Sequence, residues 1–226
     1  MRLLITFGAG YEPIDQARRL TNFSTGRLGT YLANAFFTAG WDVHCLRSEN
    51  TSFTGKLNAA EVEPFTTNDD LAERLERIGC LGRVDAVFHA AALCDFRVAR
   101  VTDASGNAIH SPKIASRDGR LLLELEPATK VLPKLREWFP ESRIVGWKYE
   151  LAGTRQDAFG KAWRQLDECH TDACVLNGAA YGPGFSVCLP SRASFPCGDE
   201  ASLAGHLLNW ASQENNCRPQ NMPLAA

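Results

Sequence analysis

Short apolar runs of β-type residues alternate with segments of helical period along almost the whole chain, and this alternation constrains the fold more than any other feature. Residues 3–7, 43–46, 62–65, 84–91, 121–125, 144–147 and 173–176 read as strands, the third weakened by Pro64. Between them, Leu28, Tyr31, Leu32, Ala35 and Phe36 fall on one helical face, with Thr25 as a candidate cap and Gly40 as the stop. Residues 68–78 form a second helix with Leu71, Leu75 and Ile78 inward; 131–138, 156–168 and 201–211 are further helices. Residues 185–189 and 193–195 suggest a hairpin. The pattern predicts an α/β fold, a Rossmann-like mostly parallel sheet with helices on both faces. One domain is expected over residues 1–213, with a polar, Pro-containing flexible tail at 214–226. Residues 96–120 show no period, and a loop of that length inside a compact domain is usually functional.

Composition removes several function classes. The net charge of -2 offers no basic field for nucleic acid. The eight cysteines form no CxxC pair, so no zinc site is expected. Cys45, Cys80 and Cys174 lie in apolar runs and read as buried thiols of a reduced, cytoplasmic protein. The apolar run after Met1 is too short for a signal peptide or a membrane span.

In parallel α/β folds ligands bind at the carboxyl ends of the strands, so the chemistry is expected in the loops at 8–25, 91–120, 147–155 and 177–184. The first begins Gly8-Ala9-Gly10, like the start of a dinucleotide fingerprint, but Pro13 stands where the third glycine belongs. The pair alone is compatible with a tight turn. Residues 21–29, Thr-Asn-Phe-Ser-Thr-Gly-Arg-Leu-Gly, lead small hydroxyls and glycines straight into the first helix. Free N–H groups at a helix start suit phosphate; Ser24 or Thr25 could equally just cap it.

Taken together, Glu12-Pro13-Ile14-Asp15, the segment 20–29, Ala90-Ala91-Ala92-Leu93-Cys94-Asp95-Phe96, Lys113-Ile114-Ala115-Ser116, Val145-Gly146-Trp147 and Val175-Leu176-Asn177 resemble, in order, the signatures of the phosphopantothenate–cysteine ligases. The resemblance spans residues 2–177. It implies ligation of 4′-phosphopantothenate to L-cysteine through an acyl-nucleotide, using a nucleoside triphosphate with Mg²⁺, in a homodimer. CTP is the expected nucleotide and ATP the alternative.

The same resemblance implies residue roles. Gly8, Ser24, Gly26 and Gly29 would cradle the substrate phosphate, and Asn22 would hydrogen-bond the reacting acyl group; the bare alternative for Asn22 is a loop brace. Ala91 and Ala92 would line the cleft, and Trp147 and Asn177 would help hold the phosphorylated substrate. Asp95 would contact the base or ribose. Lys113 would meet the α-phosphate, and Lys161 would reach the triphosphate unless it is a solvated helix residue. No protein metal ligand is implied. Residues 96–120 are expected to act as a flap over the nucleotide.

This chain departs from the family pattern in three places. Gly10-Tyr11 replaces a common Thr-Arg, Ala115 replaces the second lysine of the third motif, and Gln165 stands near a second helix lysine. The flavin-dependent decarboxylase domain that many bacterial members carry upstream is absent, so ligation alone is expected. Two other readings stay open on sequence: a nicotinamide-dependent oxidoreductase, against which stand Pro13 and the lack of a Tyr-x-x-x-Lys dyad, and a non-catalytic nucleotide-binding relative.

Overall fold

In the computed structural model, which describes residues 1–115, 117 and 119–213, the apolar runs form one eight-stranded sheet. Chain order runs β1 (Arg2–Phe7), β2 (Tyr11–Pro13), β3 (Arg19–Thr21), α1 (Arg27–Thr38), β4 (Asp42–Ser48), β5 (Glu61–Phe65) and α2 (Asn68–Leu81). It continues through β6 (Ala86–His89), β7 (Phe96–Asp103), β8 (Leu121–Pro127), α3 (Leu135–Trp138), β9 (Arg143–Tyr149), α4 (Arg155–Cys169), β10 (Ala173–Asn177), β11 (Phe185–Cys188), β12 (Ser194–Cys197) and α5 (Glu200–Ser212). The sheet order is β12-β11-β10-β9-β6-β1-β4-β5. From β5 to β10 every pairing is parallel, and β11 and β12 close the far edge antiparallel. The strand order reverses between β1 and β6, which makes that the switch point where such sheets open a crevice.

Period-two alternation sends side chains of the same strands to opposite layers. Leu3, Ile5, Phe7, Val43, Phe88, Val145 and Val175 pack against α1 and α5. Leu4, Leu46, Val87 and Ile144 pack with α2 and α3, and Cys174, Leu176 and Cys188 with α4. The predicted class therefore holds, with helices on both faces.

Several local expectations are corrected. The first helix begins after Gly26, which sits at φ 81° as its N-cap; Thr25, one residue earlier, still accepts the N–H of Arg27 on its hydroxyl (3.4 Å). Its buried face is Gly29, Thr30, Leu32, Ala33 and Phe36, and Tyr31 is exposed. Cys45 and Cys174 are buried, but Cys80 is exposed, because Leu71, Leu75 and Ile78 fix the inward face of α2 and residue 80 falls off it. The loop after β1 contains a hairpin, β2 with β3, whose three-residue strands are too short to leave a period. The aperiodic stretch begins with β7, which pairs with β8 as a separate two-stranded sheet; only residues 104–120 connect them. Residues 131–138 divide into a 3₁₀ turn (Leu132–Lys134), with Pro133 at its start, and the short α3. The strand expected at 84–91 is confined to β6, and Ser116, Cys217 and the tail lie outside the described residues.

Gly29 is where α1 crosses the end of β1. A Cβ there would stand 2.1 Å from Phe7 Cβ and 2.3 Å from Phe7 Cγ, and Phe7 is fully buried. The crossing distance of α1 over the sheet is thus set by a missing side chain. Gly29→Ala should lower stability by roughly 2–3 kcal/mol through overpacking. Gly29→Ala with Phe7→Leu should recover part of that loss. Urea unfolding of Gly29→Ala, Phe7→Leu and the double variant checks this, and strictly additive losses would show that the two positions do not share a contact.

Candidate active site

The sheet does not stop at Phe7 and His89. Ala90 N–H donates to Thr6 O (2.9 Å), Ala92 N–H to Gly8 O (2.9 Å) and Gly10 N–H to Ala92 O (3.1 Å), so the loops after β1 and β6 run on together across the switch point. Gly8 makes this possible at φ 90°, with Thr51 and Ser48 packed so closely that a Cβ would meet Thr51 Oγ1 at 2.3 Å. Ser48 is buried beneath and donates its hydroxyl to Ala9 O (2.5 Å).

Asn68, the first residue of α2, ties further loops to this edge. Its side chain is buried, donating to Cys94 O (2.8 Å) and Thr129 O (2.9 Å) and accepting from Cys94 N–H (3.3 Å). Its backbone N–H donates to Glu12 Oε1 (3.3 Å). Burial raises the Glu12 carboxyl above its ordinary range, and the Asn68 hydrogen bond only partly opposes this.

Between these loops and α4 lies a cleft of about 640 Å³. Ala91, Leu93, Cys94 and Asp95 form one wall, residues 129–133 another, and Trp147, Lys148 and Glu150 the floor at the end of β9. Lys161, Arg164, Gln165 and Glu168 project from α4. Asp95 is ion-paired with Lys130 (2.5 Å). Glu150 is bracketed by Lys161 (2.5 Å) and Lys148 (3.4 Å). Desolvation alone would raise the Glu150 carboxyl, but the two lysines outweigh it and the net shift is downward. His89 borders the cleft with Nδ1 against Thr6 Oγ1 (2.8 Å); burial lowers its pKa to about 4, so it is neutral near pH 7.

The residues singled out from sequence fall into three groups. Ala91, Asp95, Trp147 and Lys161 border the cleft. Trp147 also packs in the α1/α5 layer beside Phe88, and among the described residues its buried indole N–H has no hydrogen-bond partner. Gly8, Ser24, Gly26 and Gly29 gather at the start of α1, on the other side of the sheet. There Thr30 N–H is the first to reach back to Gly26 O (3.1 Å); the Arg27 N–H donates to Thr25 Oγ1 (3.4 Å), and those of Leu28 and Gly29 have no carbonyl within the helix to reach. Of these four, Gly29 has the packing role described above. Asn22 bridges the groups, donating from Nδ2 to Leu93 O (2.9 Å). Ala92 supplies backbone bonds to the β1 loop, and Asn177 accepts from Glu150 N–H (2.9 Å) at the end of β10.

Lys113 forms the third group. It is exposed and lies outside the cleft lining. Its neighbours are fixed: Gln16 N–H donates to Pro112 O (2.9 Å), Arg18 to Ile114 O, and Ile114 N–H to Asp15 Oδ2 (3.2 Å). Asp15 also accepts from the N–H groups of Ala17 and Arg18, both at 2.8 Å. Desolvation pushes the Asp15 carboxyl up, but these donors and the Arg18 guanidinium prevail, and it is held below its ordinary 3.8.

Sequence reasoning missed Asn68, Glu150 and Arg164 as site residues and treated Asp15 only as part of a motif. Arg164 alone left a usable signal, its i+3 spacing from Lys161 on a helix face.

Residues 1–188 match the family described as the DNA/pantothenate metabolism flavoprotein C-terminal domain. The chain is 32% identical over 176 residues to the coenzyme A biosynthesis bifunctional protein CoaBC of Thermococcus kodakarensis, covering 78% of this chain and 41% of that protein. It is 31% identical over 186 residues to CoaBC of Bacillus subtilis, covering 82% and 43%. The chain thus spans about two-fifths of the length of these relatives. The fold is shared with the DNA/pantothenate metabolism flavoprotein of Streptococcus pneumoniae (TM-score 0.81, 20% identity, 93% and 97% of the two chains). It is shared also with a Cab2 variant in complex with phosphopantothenate-cysteine (TM-score 0.71, 22% identity, 93% and 84%).

The Asp15 clamp gives a direct test. Asp15→Ala should leave the circular dichroism spectrum unchanged while proteases cut residues 104–120 several-fold faster. In the wild-type protein a depressed carboxyl keeps the clamp at full strength above pH 3.8 and loses it only as pH falls through the lowered value. Protection unchanged in Asp15→Ala would mean that other contacts hold the segment.

Proposed function

The chain belongs to the DNA/pantothenate metabolism flavoprotein C-terminal domain family, and from that premise we propose that it ligates 4′-phosphopantothenate to L-cysteine at the expense of a nucleoside triphosphate. The observation that carries the reading is convergence: except for the Lys113 segment, motifs scattered over residues 8–177 gather at the carboxyl end of the sheet, around one cleft and one helix start.

A carboxylate is a poor electrophile, so its oxygen first attacks the α-phosphorus of the nucleotide and pyrophosphate leaves. The cysteine amine then attacks the acyl carbon, and the nucleoside monophosphate leaves with the carboxylate oxygen. In this reading the substrate phosphate sits at the amino end of α1, where outward N–H groups and Ser24 supply donors. The nucleotide occupies the cleft, with Asp95 beside the base or ribose and Lys161 near the phosphates. Asn22 spends one amide hydrogen on Leu93 O, leaving the second for the acyl oxygen. Lys113 would meet the α-phosphate in this reading, which requires residues 112–114 to leave their contacts with Gln16, Arg18 and Asp15 as residues 104–120 close over the cleft. Positioning and charge stabilisation supply the rate enhancement.

Mg²⁺ would accompany the triphosphate as its counter-ion, a role that needs few protein ligands. It would screen the phosphate charge. Among the described residues the grouping with metal-ligand geometry, His44, Glu61 and Glu63, lies at the β5 edge, where Arg2, Arg74 and Arg77 already engage the two glutamates.

CTP is the nucleotide favoured by this reading, with ATP run in parallel. Single-turnover pyrophosphate release that requires phosphopantothenate is the deciding assay. Asn22→Asp should still release pyrophosphate but accumulate the acyl-nucleotide; equal loss of both half-reactions would reduce Asn22 to a loop brace. Lys113→Gln should slow pyrophosphate release about a hundred- to thousandfold, equivalent to roughly 3–4 kcal/mol, without weakening phosphopantothenate binding. Release within about threefold of wild type would remove Lys113 from the mechanism.

A homodimer is part of the same proposal. In the β7–β8 hairpin, Val98 opposes Leu125 and Val101 opposes Leu123 on one face, and Leu123 and Leu125 are exposed there. Arg97–Glu126 and Arg100–Glu124 ion pairs occupy the other face. A second copy covering the apolar face would bury it. Leu123→Lys with Leu125→Lys should halve the mass seen by light scattering, and an unchanged dimer would place the interface elsewhere.

No helix of the described residues is long and apolar enough to cross a membrane. A cytoplasmic location accords with the proposed activity and with seven free cysteines among those residues.

A further inference from the structure

Four cations border the cleft, and three already have carboxylate partners. Lys130 is paired with Asp95, while Lys148 and Lys161 share Glu150. Arg164 is different. It stands almost one turn after Lys161 on α4 and faces the same cleft. Among the described residues it has no ion-pair or hydrogen-bond partner. Glu168, four residues on and also at the cleft, is the acid an i,i+4 pair would use, yet the two are not paired.

An unpartnered guanidinium on a concave surface is a site for an anion. Its planar fork of N–H donors fits phosphate oxygens two at a time, which an ammonium cannot do. We propose that Arg164 binds the terminal phosphates of the nucleoside triphosphate, the part released as pyrophosphate; this rests on the ligase reading and adds to it a specific residue. Two observations favour a polyphosphate over the single phosphate of the other substrate. Arg164 projects from α4, whereas the glycines and Ser24 lie at the start of α1 on the opposite face of the sheet. The paired lysines beside it place further donors along the same wall, which suits an extended anion better than a compact one.

Arg164 is exposed and contributes no contact to the core, so its variants should fold. The measurements are nucleotide KM and kcat from pyrophosphate release, the Kd of inorganic pyrophosphate by calorimetry, and phosphopantothenate affinity. They are made for wild type, Arg164→Gln and Arg164→Lys. Arg164→Gln should raise nucleotide KM and pyrophosphate Kd roughly ten- to a hundredfold, as expected for one charged hydrogen-bonding group, with phosphopantothenate affinity unchanged. Arg164→Lys should recover only part. Unchanged nucleotide KM and pyrophosphate Kd in Arg164→Gln, or a loss that falls on phosphopantothenate instead, would overturn the assignment. A wild-type protein that releases no pyrophosphate with either nucleotide would defeat the ligase reading, while the calorimetric comparison would still decide the role of Arg164.

Discussion

The backbone bonds that join Gly8, Gly10 and Ala92 carry the sheet past the ends of β1 and β6, and the functional edge of the molecule depends on them. Loops at the rim of a parallel sheet must find partners for their polar groups away from the ladder. Here two loops solve the problem by continuing the ladder itself. That fixes Leu93 O where Asn22 reaches it and Cys94 where Asn68 holds it. Asn68 then draws in Thr129, and through it the wall opposite α4. One short extension of the sheet thereby sets the position of the cleft, of Asn22 and of the turn that leads to α3.

The electrostatics of the cleft follow from pairing more than from composition. A net charge of -2 says nothing about where an anion would bind. Glu150 restrains Lys148 and Lys161, and Asp95 restrains Lys130. These pairs keep flexible side chains on the cleft wall and temper their charge until a ligand competes for them. Asp15 performs a comparable service across a long sequence distance, joining the β2–β3 turn to the segment that carries Lys113. The Glu12-Pro13-Ile14-Asp15 motif is therefore two devices side by side: Glu12 meets the start of α2, and Asp15 meets residue 114.

Much of the fold was legible in the sequence because local periodicity encodes it. The strands that became β1, β4, β6, β9 and β10 and the helices α1, α2, α4 and α5 all announce themselves through runs or through i, i+3, i+4 spacing. What was missed had too little length to show a period, as in β2 and β3, or drew its order from a distant partner. Residues 96–103 are of that second kind: with ion pairs on one face and a half-buried apolar face, they become a strand only because β8 lies beside them. Within the site, Gly8 and Gly26 were recognisable as backbone devices. Gly29 looked the same in the sequence, and only its contact with Phe7 reveals a packing constraint.

By itself the sequence determined the order of elements, the class of sheet they build and the motifs whose order marks the family, since these depend on residues near one another along the chain. The tertiary structure alone decided which charges are paired, that among the described residues Arg164 is unpartnered while Lys161 is bound, and that Lys113 lies outside the cleft. Those properties belong to contacts between residues tens of positions apart, as between Asp15 and Ile114 or Asn22 and Leu93. A charge or an amide acquires its chemistry from whatever folding places within about 3–4 Å of it, and no local pattern records that neighbour.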